Sequence, residues 1–132
     1  YRAVLLRGPS GSGKSDVALR LIDGGAVLVA DDQVIVSAAG GALSVEAPPT
    51  IAGLLEVRGL GLVKMPVVNK MPLALVVDLV PRADVPRLPV PNHAVLLDIP
   101  VPQLALHAFD AATPAKIRLA LAVVDDAGKV IR

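Results

Sequence analysis

Gly8-Pro9-Ser10-Gly11-Ser12-Gly13-Lys14-Ser15 matches the pattern G-x-x-x-x-G-K-[ST] over its full length, and its flanks decide the fold. Ahead of it, Ala3-Val4-Leu5-Leu6 is a short apolar run that predicts a buried strand. Behind it, Ser15 to Asp23 carries Val17, Ala18, Leu21 and Ile22 at i, i+4 spacing, which predicts one apolar helical face stopped by Gly24-Gly25. A strand, a glycine-rich loop and a helix start together make an anion site. The glycines let backbone N–H groups turn inward, and the helix start adds unpaired donors and the positive end of the dipole. Lys14 can neutralise charge between β- and γ-phosphates, and the Ser15 hydroxyl can ligate Mg²⁺. Gly8 to Ser15 is therefore the expected seat of a nucleoside triphosphate and its Mg²⁺.

Outward from this loop, Ala26-Val27-Leu28-Val29-Ala30 reads as a second apolar strand closed by Asp31-Asp32. A strand ending in a carboxylate sets an acid beside the metal and the terminal phosphate. Two adjacent Asp residues can divide the work, one near the metal and one as base for an incoming nucleophile. Val34 to Val36 continues extended, Gly40-Gly41 turns the chain, and Ala42 to Glu46 returns as a hairpin partner. In Leu55-Glu56-Val57-Arg58-Gly59-Leu60-Gly61, an extended chain would project Glu56 and Arg58 to one face. Gly59 and Gly61 would permit close backbone approach, so carboxylate and guanidinium could serve metal and phosphate, or simply form an exposed pair.

The rest is strand-like and punctuated by proline, which is expected to cap or separate short segments and to exclude long helices. Leu73 to Leu79, Ala94 to Ile99 and Leu104 to His107 are the expected strands. Thr113 reads as an N-cap and Pro114 as the first helical position of a helix through about Val124. With no repeat and no long linker, residues 1–132 are expected to form one α/β domain with a substantial antiparallel part.

Composition narrows the classes. The chain is 54% hydrophobic and 19% charged, which argues against disorder. A net charge of +1, one Tyr, one Phe and no Trp give no footprint for nucleic acid or acidic membranes. Absence of Cys removes disulfides and thiolate metal sites. His93 and His107 lack neighbours at ligand spacing and read as ordinary strand-face residues. No run reaches the roughly 18 apolar residues of a membrane span. Tyr1-Arg2 leads straight into a strand without signal peptide or initiator Met, so a fragment of a cytoplasmic protein is expected.

Three separated motifs, Gly8 to Ser15, Val29-Ala30-Asp31-Asp32-Gln33-Val34 and Leu55 to Gly61, together resemble the C-terminal catalytic domain of HPr kinase/phosphorylase. Leu97-Asp98-Ile99-Pro100-Val101-Pro102 is similar to that family's segment before its last catalytic strand. The resemblance implies a P-loop fold like phosphoenolpyruvate carboxykinase, a curved mixed sheet with helices packed on one side. It implies ATP- and Mg²⁺-dependent phosphorylation of a serine on the phosphocarrier protein HPr or a relative, with phosphorolysis in reverse. Carried over, Lys14 contacts phosphate, Ser15 and Glu56 serve Mg²⁺, and Asp31 is the proton acceptor, with Asp32, Arg58, Gly59 and Gly61 as further candidates. Family members assemble as hexamers. A short form without the family's regulatory domain, like those typical of alphaproteobacteria, is expected, and the family's histidine ahead of the P-loop strand would precede residue 1. Lys70 stands in the stretch where the family carries Arg, and Lys116, at the start of the last helix, is a further candidate for phosphate. Two other readings stay open: a small-metabolite kinase using Arg82, Arg87 and His93, and a nucleotide sensor without catalysis.

Overall fold

The computed structural model describes residues 2–123. Among the described residues there are eight strands: β1 (Ala3–Arg7), β2 (Ile35–Ala39), β3 (Ala42–Glu46), β4 (Leu54–Val57), β5 (Gly61–Lys64), β6 (Met71–Leu79), β7 (Asn92–Leu96) and β8 (Ile99–Leu106). Two helices, α1 (Lys14–Asp23) and α2 (Thr113–Ala122), complete a mixed α/β fold. Both ends of the α1 expectation agree with the structure to within a residue. Thr113 is not an N-cap: Ala112 occupies that place and the Thr113 side chain is buried inside the first turn. The expected end of the helix at Val124 lies outside the described residues.

β6 organises the sheet. It pairs in parallel with β1 along one stretch and with β8 over Val76 to Leu79, while Met71 and Pro72 at its start pair antiparallel with β3. Leu75, Val76 and Val77 are 0% exposed, because both sheet faces are covered there. On one face Leu75, Val77 and Leu79 meet Val17 of α1 and Ile117 and Ala120 of α2, so both helices lie on the same side. On the other, Val76 packs with Leu43, Ala94 and Val101, which requires the outer strands to curl back over the centre. A third cluster of Leu28, Leu55 and Val57 takes the far side of α1 through Ala18, Leu19 and Ile22.

Three expectations fail on backbone detail. Ala26 to Ala30 is not a ladder strand. Its ladder pairing is one parallel bridge, Leu28 to Val67, beside the buried Leu28 side chain and a bond from Ala26 N to Leu21 O at 3.0 Å. A cavity of about 1020 Å³, lined by Val4 to Leu6 on one wall and Val27 to Ala30 on the other, separates the segment from β1. Ala94 to Ile99 is two strands, because Leu97 and Asp98 both take positive φ (48° and 63°) and reverse the chain. Paired positive φ at two residues is the geometry of a tight hairpin turn, here built without glycine.

The prolines also separate less than expected, since Pro72 lies in β6 and Pro100 and Pro102 lie in β8. The hairpin pair Leu96–Ile99 is hydrogen-bonded, and alternation then makes Val95–Pro100 and His93–Pro102 the pairs without ladder bonds. Each proline nitrogen therefore faces away from β7, and β6 joins β8 only from Gln103 onward. No donor is missed.

Candidate active site

The Gly8–Ser15 loop leaves β1 at Arg7 and closes on the first turn of α1. Ser12 N donates to Pro9 O at 3.0 Å, and Val17 N donates to Gly13 O at 3.0 Å, so the loop is wound tightly into the helix. Gly11 and Gly13 hold φ of 82° and 98°, which L side chains rarely adopt. Gly13 is also hemmed in: a Cβ there would lie 2.6 Å from the Ala108 Cβ and 2.9 Å from the Phe109 Cζ. It is the helix N-cap and no side chain caps the first N–H groups. Those donors stay open to an anion. Ser12 Oγ is buried without a hydrogen-bond partner among the described residues. Lys14 Nζ donates to Gly8 O at 2.8 Å, folding the ammonium over the loop. A buried orphan hydroxyl, uncapped amides and an ammonium are the donors a polyphosphate satisfies, so the residues fit such a group.

Asp31 ties the acidic turn to this loop. Its Oδ1 accepts from Ser15 Oγ at 2.9 Å and its Oδ2 accepts from the backbone N–H of Glu56 at 2.9 Å. Three motifs far apart in sequence therefore meet at one carboxylate. Asp32 stands beside it with φ 63°, in a turn closed by Gln33 N donating to Asp31 O at 2.6 Å. Its side chain is exposed and has no hydrogen-bond partner among the described residues. No group of three or more His, Cys, Asp or Glu side chains that could hold a metal occurs among the described residues.

The remaining candidates scatter. Glu56 is an exposed residue of β4, but Arg58 does not share its strand face. Arg58, Gly59 and Leu60 form the turn between β4 and β5, with Gly59 and Gly61 at φ 94° and 102°. The extended geometry expected of Leu55 to Gly61 stops at Val57. Lys70 precedes β6, whereas the phosphate loop follows Arg7, which is in register with Asp78 at the other end of that strand. Eight residues of strand put roughly 26 Å between those ends. Lys116 is exposed on the first turn of α2 and lies near enough to Asp110 to help hold its carboxyl ionised. Arg82 and His93 do not converge, and Arg87 is exposed. Arg82 is engaged with Asp110 beyond the end of β8 at 2.6 Å, while His93 pairs with Pro102 near its start.

Two arrangements carry no local sequence signal. Arg7 grips Asp78 through two bonds of 2.7 and 3.0 Å, and Gln103 Nε2 donates to the same carboxylate at 2.7 Å. The Arg7 guanidinium holds the Asp78 carboxyl below the usual carboxylate range against the opposing effect of burial, with Gln103 assisting. Asp110 is likewise held low, chiefly by Arg82. The second is the loop after β8. Arg20 of α1 donates to the carbonyls of Ala108 and Asp110, the latter at 3.1 Å, and Thr113 Oγ1 donates to His107 O.

Fold and site together define a mixed α/β domain in which a glycine-rich loop at a helix start meets an acidic turn. A family model described as HPr Serine kinase C-terminal domain matches residues 2–117, and the chain belongs to that family. The HPr kinase/phosphorylase of Burkholderia cenocepacia is 40% identical over 114 residues, covering 78% of this chain and 35% of that protein. The figures are the same for the HPr kinase/phosphorylase of Paraburkholderia phymatum. The chain thus spans about a third of the length of these curated relatives. A solved structure, the Hpr(Ser) kinase/phosphatase from Coxiella burnetii, matches with a TM-score of 0.79 at 26% identity, over 89% of this chain and 84% of that one.

Proposed function

We propose that this chain is the catalytic part of an ATP- and Mg²⁺-dependent serine kinase that phosphorylates HPr or a similar phosphocarrier protein. The observation that carries the reading is the junction at Asp31, where the phosphate loop, the acidic turn and the Glu56 strand meet. Membership of the HPr serine kinase family supplies the acceptor. The same reading includes phosphorolysis in reverse, kinship of the fold with phosphoenolpyruvate carboxykinase, a cytoplasmic location and assembly as a hexamer.

Mg²⁺, when bound with ATP, would neutralise charge on the phosphates. The protein's own residues position and deprotonate. Backbone N–H groups from Gly11 to Ser15 orient the polyphosphate, and Lys14 leaves Gly8 O to meet it. The Ser15 hydroxyl and the Glu56 carboxylate supply oxygen donors on the metal side. Asp31 is the proton acceptor that the family resemblance assigns. Each of its oxygens accepts one hydrogen bond and keeps a second lone pair for the substrate proton, so Ser15 and Glu56 orient the carboxylate without saturating it. Asp32, one residue on, is the alternative acceptor.

The test is incubation of the whole protein with ATP, Mg²⁺ and the HPr-like protein of the same organism, followed by mass spectrometry for phosphoserine. Asp31→Asn should retain nucleotide binding and lose at least ~100-fold in transfer. Wild-type rates in Asp31→Asn with loss in Asp32→Asn would move the acceptor role one residue along. ATP binding without transfer to any acceptor would leave a nucleotide sensor.

A further inference from the structure

Phe109 is the chain's one phenylalanine, and it is left 58% exposed at the corner where the phosphate loop enters α1. Its ring edge lies against Gly13: the Cζ and Cε1 atoms are 2.9 and 3.2 Å from where a Cβ would stand. The backbone beneath it is held on both sides. The preceding carbonyl, of Ala108, and the following one, of Asp110, both accept from the Arg20 guanidinium. Arg82 pins the Asp110 carboxylate, and Ala108 is buried. The His107 ring meets the Phe109 ring edge-on at 5.8 Å and 73°, and its Nδ1 lies 2.9 Å from Val80 O. The loop thus spends several hydrogen bonds on fixing one exposed aromatic ring beside the phosphate loop.

The helix decides which end of a nucleotide lies there. At 3.6 residues per turn, Ser15 and Arg20 point about 140° apart around α1. Ser15 faces Asp31 and the acidic turn, while Arg20 faces the Phe109 loop. A triphosphate lying across the phosphate loop with its transferring end at Asp31 therefore has its nucleoside end on the side of Phe109. We infer that Phe109 is the stacking platform for the nucleobase of the bound nucleoside triphosphate. The inference rests on the nucleotide reading above and extends it to the subsite that holds the base. An aromatic face accepts any base, so stacking supplies affinity rather than discrimination between purines.

The experiment compares MgATP with magnesium tripolyphosphate, which has the phosphates and no base, by titration calorimetry on the whole protein. Phe109→Ala should weaken ATP about 10-fold and leave tripolyphosphate within about 2-fold. Phe109→Trp, which adds a tryptophan to a stretch of 132 residues that has none, should bind ATP as wild type and change fluorescence relative to the wild-type protein with ATP but not with tripolyphosphate. Equal effects of Phe109→Ala on both ligands, or none on either, overturn the platform while the phosphate cradle stands. If wild type binds neither ligand, the nucleotide reading itself falls and this subsite with it. Should Phe109→Ala fail to fold, the Phe109→Trp signal decides alone, and a response identical for the two ligands refutes the stack.

Discussion

Gly13→Ala and Gly11→Ala place the same methyl group on two glycines of similar backbone conformation in very different surroundings. Gly11 has φ 82° with nothing within 4 Å of an added Cβ, whereas Gly13 has φ 98° with Ala108 Cβ at 2.6 Å and Phe109 Cζ at 2.9 Å. Left-handed backbone costs an L residue about 1–2 kcal/mol, partly offset by the about 0.4–1 kcal/mol gained from a stiffer unfolded chain. Gly11→Ala should therefore lose about 1 kcal/mol. Gly13→Ala carries that cost and an overpacking penalty of about 1–3 kcal/mol, because its nearest neighbour is a Cβ fixed to the backbone and cannot swing away. The expected loss is about 2–4 kcal/mol. With a slope of about 1–3 kcal/mol per molar urea, the unfolding midpoint of Gly13→Ala should fall by about 1–2 M, and that of Gly11→Ala by about half a molar. Ala108→Gly in the Gly13→Ala background should recover part of the difference, as expected of two groups in contact. Equal midpoints for the two single variants, without recovery in the double, would refute the claim that the loop after β8 presses on the phosphate loop.

Other consequences follow from the polar groups. The folded Asp78 carboxyl titrates below its unfolded value of about 3.8, so its ionised pair with Arg7 stabilises the fold above that pH and the contribution disappears as pH falls through the folded value. Both side chains are partly exposed, at 41% and 27%, so the effect is about 1 kcal/mol, and urea midpoints between pH 5 and 2.5 should fall less in Asp78→Asn than in wild type. Thr113→Val keeps the volume of a side chain that is 1% exposed and removes its bond to His107 O. A loss of about 1 kcal/mol in thermal unfolding is expected, with Thr113→Ser close to wild type, and no difference between them would put the hydroxyl out of account.

Much of the site was legible because its logic is local. The loop Gly8–Ser15, its strand and its helix follow from residues within two turns of each other, and the structure reproduces their bounds. Gly40-Gly41 likewise announces its hairpin, with φ of 60° and 79°. Leu97-Asp98 makes the same kind of turn from residues that rarely adopt it, so alternation alone reads through it as one strand. The prolines of β8 mislead for a related reason: whether a missing N–H matters depends on which way it points in a ladder, and that is set by register. Asp31 meeting Ser15 was implied by motif order, but the bond from Glu56 N was not. Arg7 with Asp78 spans 71 residues of sequence and exists only because β1 and β6 pair in that register. Phe109 was unreadable as a site residue because its significance lies in contact with Gly13, across the whole length of the sheet connections.

The guanidinium groups that brace α1 have one more implication. Arg20 reaches forward to the carbonyls after β8, and Arg118 of α2 donates back to Leu21 O at 3.1 Å near the end of α1. Both contacts involve the last turn of α1, tying it to the loop before α2 and to α2 itself, so any ligand that steadies α1 slows the breathing of α2 as well. Amide exchange along Lys116 to Ala122 would then serve as a remote gauge of occupancy, legible without touching the phosphate loop itself.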